Sequence, residues 1–411
     1  MDILLFIIAF FDFIAGRKVR SMYIALFLAT NAFETVKIMT FPVQHEMGDL
    51  GLLLMMLMWI LYSRIYGDSM PRYPLINVLI IFGVFLGVSF LIDMVYTGHS
   101  FFEGILTNRR FWLFIVAYSL CILNKDEINV LLKAIIITNM FVLLISFFQY
   151  KGFLHVFNYN FEHFKGKDFF GFYAPLSLMP ATLILLSQKG KEYFSKYRNI
   201  LLSLCIIAIF LTVIRSYIIS FGVAALFVAF WGQKVDFRKL GYIITLFLFV
   251  CVIFTFIPQV ANRFSEVGHA MEAGSMAFRG RLVDAVFKYL GSDLKNTLFG
   301  LGWEYLDFDY AGGWNMKQWI LSTPDTSWAP LLGRLGYLGA AIFLSIYLLL
   351  IKAAIQVKQS LMASILLGLV VHLLLISFAG SSLIHGKSIL IPYLLYFYVQ
   401  REKSEMVKVI K

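Results

Sequence analysis

The sequence predicts an all-α, polytopic membrane protein. Three observations carry that expectation. Hydrophobic residues fill 60% of the 411 positions, charged residues only 14%, and apolar runs of membrane length recur from one end of the chain to the other. Soluble domains carry about 25% charged residues, and no soluble core hides this much apolar surface, so a soluble enzyme is excluded. The same figures exclude a disordered chain. The runs are too long and continuous for barrel strands of ~10 alternating residues. Cys121, Cys205 and Cys251 all lie inside apolar runs, which argues against a disulfide framework and against a thiolate metal site.

In chain order, spans are expected near 2–16, 22–40, 50–66, 75–96, 111–123, 128–150, 169–188, 200–214, 216–231, 240–258, 328–351, 361–379 and 388–400. That is thirteen, or twelve if the weak first run does not cross. The first run contains Asp2 and Asp12 and lacks both a basic leader and a small-residue cleavage site, so it reads as a span and not as a signal peptide. The eighth and ninth are short and meet at Arg215-Ser216. Between the tenth and eleventh lies one long segment, 259–327, with six basic and eight acidic residues and with Trp303, Trp314 and Trp319. The chain therefore divides into an N-terminal membrane part (1–258), a long external loop (259–327) and a C-terminal membrane part with a tail (328–411). A loop of that length without low-complexity sequence is usually functional.

The net charge of +11 is explained by topology and not by nucleic acid. One set of connections holds Arg17, Lys18, Arg20, Arg64, Arg72, Lys125, Lys189, Lys191, Lys196, Arg198, Lys234, Arg238, Lys239, Lys352, Lys358, Arg401, Lys403, Lys408 and Lys411, 19 in all. The short loops of the other set hold seven: Arg109, Arg110, Lys151, Lys165, Lys167, Arg215 and Lys387. The richer set is expected to face the cytoplasm, with the C-terminus beside it, in contact with anionic lipid.

Soluble catalytic motifs are absent, and the seven histidines are scattered without metal-ligand spacing. The informative residues are arginines near the external end of spans, because a guanidinium beside hydrocarbon is costly unless paired or working. Arg215 stands at the junction of two short spans, where it either snorkels to the interface or forks two hydrogen bonds onto a phosphate. Arg279 and Arg281 precede a stripe, Val283, Val286, Phe287 and Leu290, with the spacing of an amphipathic helix lying on the membrane. Gly300 and Gly302 in LFGLGW suit a sharp turn whose backbone approaches a ligand. Arg334 lies inside an apolar run, where it suits a carboxylate or phosphate partner. Asp325, just ahead of that run, is either a helix cap or a proton acceptor for a sugar hydroxyl.

These segments resemble the bacterial O-antigen polymerase and O-antigen ligase superfamily, the Wzy type. The matching features are the Arg215-Ser216 junction, GRLVDAVFKYL with Arg281, LFGLGW with Gly300 and Gly302, and PDTSWAPLLGRLGYLG with Gly336 and Gly339. The local likeness covers about 205–345; elsewhere it is one of hydropathy alone. Two departures stand out: Ser216 follows the arginine instead of preceding it, and the ligase branch's histidine position reads Asp325-Thr326.

The resemblance implies a GT-C-like membrane glycosyltransferase of the bacterial inner membrane. It would move an undecaprenyl-diphosphate-linked glycan onto another lipid-linked repeat unit, with inversion and with neither metal nor cofactor. Arg215, Arg279, Arg281 and Arg334 would hold the diphosphate, Gly300 and Gly302 would let the backbone approach it, and Asp325 would be the base. It also leaves room for a chain-length regulator protein as partner. The missing histidine favours a polymerase over a ligase acting on lipid A-core. A transporter or flippase is the alternative of another class; its mid-span candidates are Glu34, Lys37, Lys133 and His372.

Overall fold

The computed structural model describes residues 2–30, 39–40, 44–45, 47–97, 109–150, 175–212, 215–231, 283–284, 286–300, 327–378, 383–384 and 386–410. Their order is α1 (Asp2–Ile14), α2 (Lys18–Ala29), a two-residue antiparallel pair β1 (Met39–Thr40) and β2 (Gln44–His45), α3 (Met47–Tyr66), α4 (Leu75–Thr97) and α5 (Arg109–Val116). The chain of α5 runs on as a 3-10 turn, Ala117–Ile122. There follow α6 (Lys125–Tyr150), α7 (Leu178–Leu186), α8 (Gln188–Phe194), α9 (Arg198–Leu211), α10 (Arg215–Phe230) and the short α11 (Leu294–Phe299). The last three are α12 (Trp328–Gln356), α13 (Leu361–Ile376) and α14 (Gly386–Ile410).

The all-helical membrane character is evident in which side chains face out. On α4, Ile80, Val84, Val88, Leu91 and Val95 are exposed, while Leu79, Phe82, Phe85 and Leu86 are buried. On α6, Val130, Ile137, Phe141 and Leu144 are exposed, against buried Ile128, Leu131, Leu132, Ile135 and Asn139. Apolar stripes this long facing outward need hydrocarbon around them. Among the described residues, four helices are long and apolar enough to cross a membrane (α3, α4, α6 and α12), or five if the bent pair α8–α9 counts as one span. Phe111–Ile122, Ser216–Phe230 and Leu361–Ile376 are shorter apolar helices.

Several expected spans differ in detail. The second is a helix of 12 residues ending at Ala29, with 31–38 outside the described residues. The fifth tightens into the 3-10 turn, which the Tyr118 hydroxyl holds by accepting from the Tyr73 N–H at 2.8 Å and donating to the Pro71 carbonyl at 2.9 Å. The eighth is turned through 120° against α8; Ser187 ends α7 and caps α8 by accepting from the Lys189 N–H at 3.1 Å. The last continues through Pro392 into the charged tail. The expected span 240–258 lies outside the described residues.

One end of the bundle gathers many of the basic residues. Lys18 lies over the rings of Tyr62 and Tyr66 at the close of α3. Lys125 pairs with Glu405 at 2.7 Å, Arg401 donates to the Cys121 carbonyl at 2.8 Å, and Lys403 donates to Gln356 Oε1 at 2.7 Å. Ser360, the cap of α13, bonds Glu402, and Lys358 lies over Trp231 just after α10. The ends of α3, α10, α12 and the α14 tail and the starts of α6 and α13 therefore share this basic end.

Candidate functional site

The opposite end is organised by α10, α12 and α13. α10 and α13 run antiparallel in close contact: a Cβ on Gly368 would come 2.9 Å from the Ala224 carbonyl oxygen. Nearer the start of α10, Ser220 Oγ lies 2.8 Å from His372 Nδ1, and the Tyr217 ring stands edge-on to the imidazole at 5.1 Å. Ser220 Oγ is also 3.0 Å from the Tyr217 carbonyl, so its single proton serves either that carbonyl or the imidazole. Ser220 and His372 are both buried.

The start of α12 is tied to the end of α13. The Ser327 N–H donates to the Ser377 carbonyl at 2.8 Å, the Leu383 N–H donates to Ser327 Oγ at 3.2 Å, and Trp328 packs on Phe378. These bonds bring the first residues of α10 and α12 to the same end. A helix rises 1.5 Å per residue. Along their helix axes, His372 is then about 7 Å from the Ser327–Ser377 bond and Arg334 about 10 Å from it, while the start of α10 at residue 215 is about 7 Å beyond Ser220.

Into this layer comes α11. Asp293 caps it by accepting from the Asn296 N–H at 2.6 Å, and Gly300 ends it at φ 88°, ψ −176°. α12 is broken at Gly336, with φ 61° and ψ −172°. Both conformations belong almost solely to glycine. The two breaks interlock, main chain on main chain. A Cβ on Gly300 would fall 2.5 Å from the Arg334 carbonyl oxygen, and one on Gly336 would fall 2.6 Å from the Gly300 nitrogen. Phe299 stacks on Phe85 at 5.8 Å, and Phe287 stacks on Tyr337 at 6.3 Å. The expected amphipathic stripe is helical at 283–284 and 286–290. Val286 and Leu290 are buried, whereas Phe287 is exposed apart from its stack on Tyr337.

Of the residues singled out in the sequence, the structure brings Gly300 and Arg334 into one crossing and starts α10 at Arg215, at the same end of the bundle. Arg334 is half-buried. Arg279, Arg281, Gly302 and Asp325 lie outside the described residues. The predicted convergence of Arg215 with Arg281 and the role of Asp325 fall there too. What the sequence reading missed is the Ser220–His372 pair. Its members are 152 positions apart, and the one available signal was a histidine within an apolar run. Among the described residues no group of three or more His, Cys, Asp or Glu gathers as metal ligands do.

Ser220→Ala is expected to leave His372 without this partner. A buried membrane hydrogen bond contributes about 0.6–1.7 kcal/mol, so thermal unfolding of the purified variant should shift down by a few degrees at most. No family model matches the chain, and no curated protein sequence does.

Proposed function

We propose that this chain is a membrane glycosyltransferase of the bacterial inner membrane that polymerises polyprenyl-diphosphate-linked glycan repeat units. Its basic end would face the cytoplasm and its Gly300 end the outside. The observation that carries the reading is the pairing of Arg334 with the Gly300–Gly336 crossing, at the end where α10 begins on Arg215. A guanidinium at the first position of a helix meets the positive end of the macrodipole, which disfavours it by a few tenths of a kcal/mol. An anion bound there reverses that sign. A polyprenyl diphosphate carries its charge at headgroup depth, and both arginines belong to helices that begin at this end of the bundle.

In the reaction, an acceptor hydroxyl oxygen attacks the anomeric carbon and the bond to the diphosphate oxygen breaks, inverting the centre. Arginines stabilise the charge that develops on the leaving diphosphate. Each well-placed donor lowers the barrier by about 3–4 kcal/mol. Asp325, two positions ahead of Ser327 in the sequence, is the proposed acceptor of the hydroxyl proton. Arg279, Arg281 and Gly302 are the further proposed diphosphate contacts, undecaprenyl diphosphate the proposed carrier, and a chain-length regulator a proposed partner.

A second reading is a carrier of anionic lipid-linked sugars. The break in α12 beside Arg334 favours it, since discontinuous helices hold substrates in transporters. Deleting the gene separates the readings. A polymerase predicts surface glycan bearing single repeat units. Absence of surface glycan with lipid-linked polymer accumulating would mean a ligase. Lipid-linked single units confined to the cytoplasmic face would mean a carrier.

A further inference from the structure

The turn joining α1 to α2 holds a cluster that the proposed reaction does not use. Asp12, near the end of α1, has a side chain only 8% exposed, and each of its oxygens meets a guanidinium: Arg20 Nε at 3.0 Å and Arg17 Nη1 at 3.4 Å. The two arginine side chains are 59% and 65% exposed. The turn is fixed from below, because the Arg17 N–H donates to the Asp12 carbonyl at 2.8 Å and the Gly16 N–H to the Phe13 carbonyl at 3.2 Å. Lys18 is held over Tyr62 and Tyr66 on the same cap.

Arg17, Lys18 and Arg20 put three cations at this turn, and Asp12 is the carboxylate that meets both arginines. Arg20 meets Asp12 through Nε, and its side chain is largely exposed. One buried carboxylate thus holds two largely exposed guanidiniums beside one turn, and each can fork two hydrogen bonds onto a phosphate where a lysine cannot. Lys125 and Lys189, by contrast, each pair with one carboxylate, Glu405 and Glu192. On α1, Leu4, Ile7, Phe11 and Ile14 are exposed at three- and four-residue spacing, so a lipid-facing stripe runs up to the arginine pair.

We propose that the α1–α2 turn is a headgroup site for an anionic phospholipid, its phosphate between Arg17 and Arg20 and its acyl chains along the Leu4–Ile14 stripe. The site is independent of the reaction proposed above. The test uses the full chain, purified and delipidated, with retention of phosphatidylglycerol against phosphatidylcholine counted by native mass spectrometry. Arg17→Gln with Arg20→Gln should lower phosphatidylglycerol retention about tenfold, and Lys191→Gln with Lys196→Gln, an equal loss of charge, should change it less than twofold. Asp12→Asn is the decisive variant. It raises the net positive charge, so diffuse attraction predicts equal or tighter retention, whereas a built site predicts loss because the guanidiniums are no longer held. Should Asp12→Asn fail to fold, Arg20→Lys decides, since it keeps the charge and loses the fork. A severalfold loss is expected, and unchanged retention overturns the proposal. Displacement of the lipid by millimolar inorganic phosphate would also overturn it, in favour of a soluble anion.

Discussion

Gly300→Val should destabilise the protein by about 2–6 kcal/mol, the sum of a backbone conformation closed to side chains and a Cβ forced onto the Arg334 carbonyl. Against a typical total of about 5–15 kcal/mol that is a large share, and detergent-purified variant should unfold many degrees below the parent. Gly336→Val should behave alike, because its Cβ would meet the Gly300 nitrogen and the Leu298 carbonyl. Gly87 and Gly222 supply the contrast: both are helical, and nothing stands within 4 Å of a Cβ there. Alanine at either should be neutral or gain up to about 1 kcal/mol from helix propensity. Unfolding of Gly300→Val at the parent temperature would disprove the crossing.

Arg215→Lys should lower polymer formation by about 100-fold or more while leaving the protein in the membrane at parental amount. Lysine keeps the charge but not the fork that grips two phosphate oxygens, and removing one well-placed oxyanion donor costs about 10²–10³ in rate. The measurement is the glycan ladder of a deletion strain complemented with each variant, beside an immunoblot of membranes. A full ladder from Arg215→Lys would show that charge alone suffices. A full ladder from Arg215→Ala would remove Arg215 from the reaction.

The helical bundle was legible in the sequence because membrane burial is written locally. Ile80, Val84 and Leu91 announce a span wherever the neighbours lie, and so do Phe141 and Leu144 on α6. The basic residues likewise announced a common set of connections, and the structure groups Lys18, Lys125, Lys358, Arg401 and Lys403 at one end. The site was legible only in part. Gly336 sits in an apolar run whose hydropathy is the same with or without a break, so the expected span at 328–351 carried no sign of one. The Ser220–His372 bond joins two helices through a fold that no local pattern encodes. The 3-10 turn at Ala117–Ile122 depends on Tyr118 reaching Pro71 and Tyr73, a constraint from outside its own segment.

The interlocked pair at positions 300 and 336 also constrains descent. Each glycine leaves room for main chain of the other's segment, Gly333 and Arg334 at position 300 and Leu298 and Gly300 at position 336, so neither position can acquire a side chain first and wait for the other to adjust. In any lineage that keeps this crossing the two should be inherited together as glycine. A lineage that has lost one should have lost the crossing outright, with both positions then free to drift.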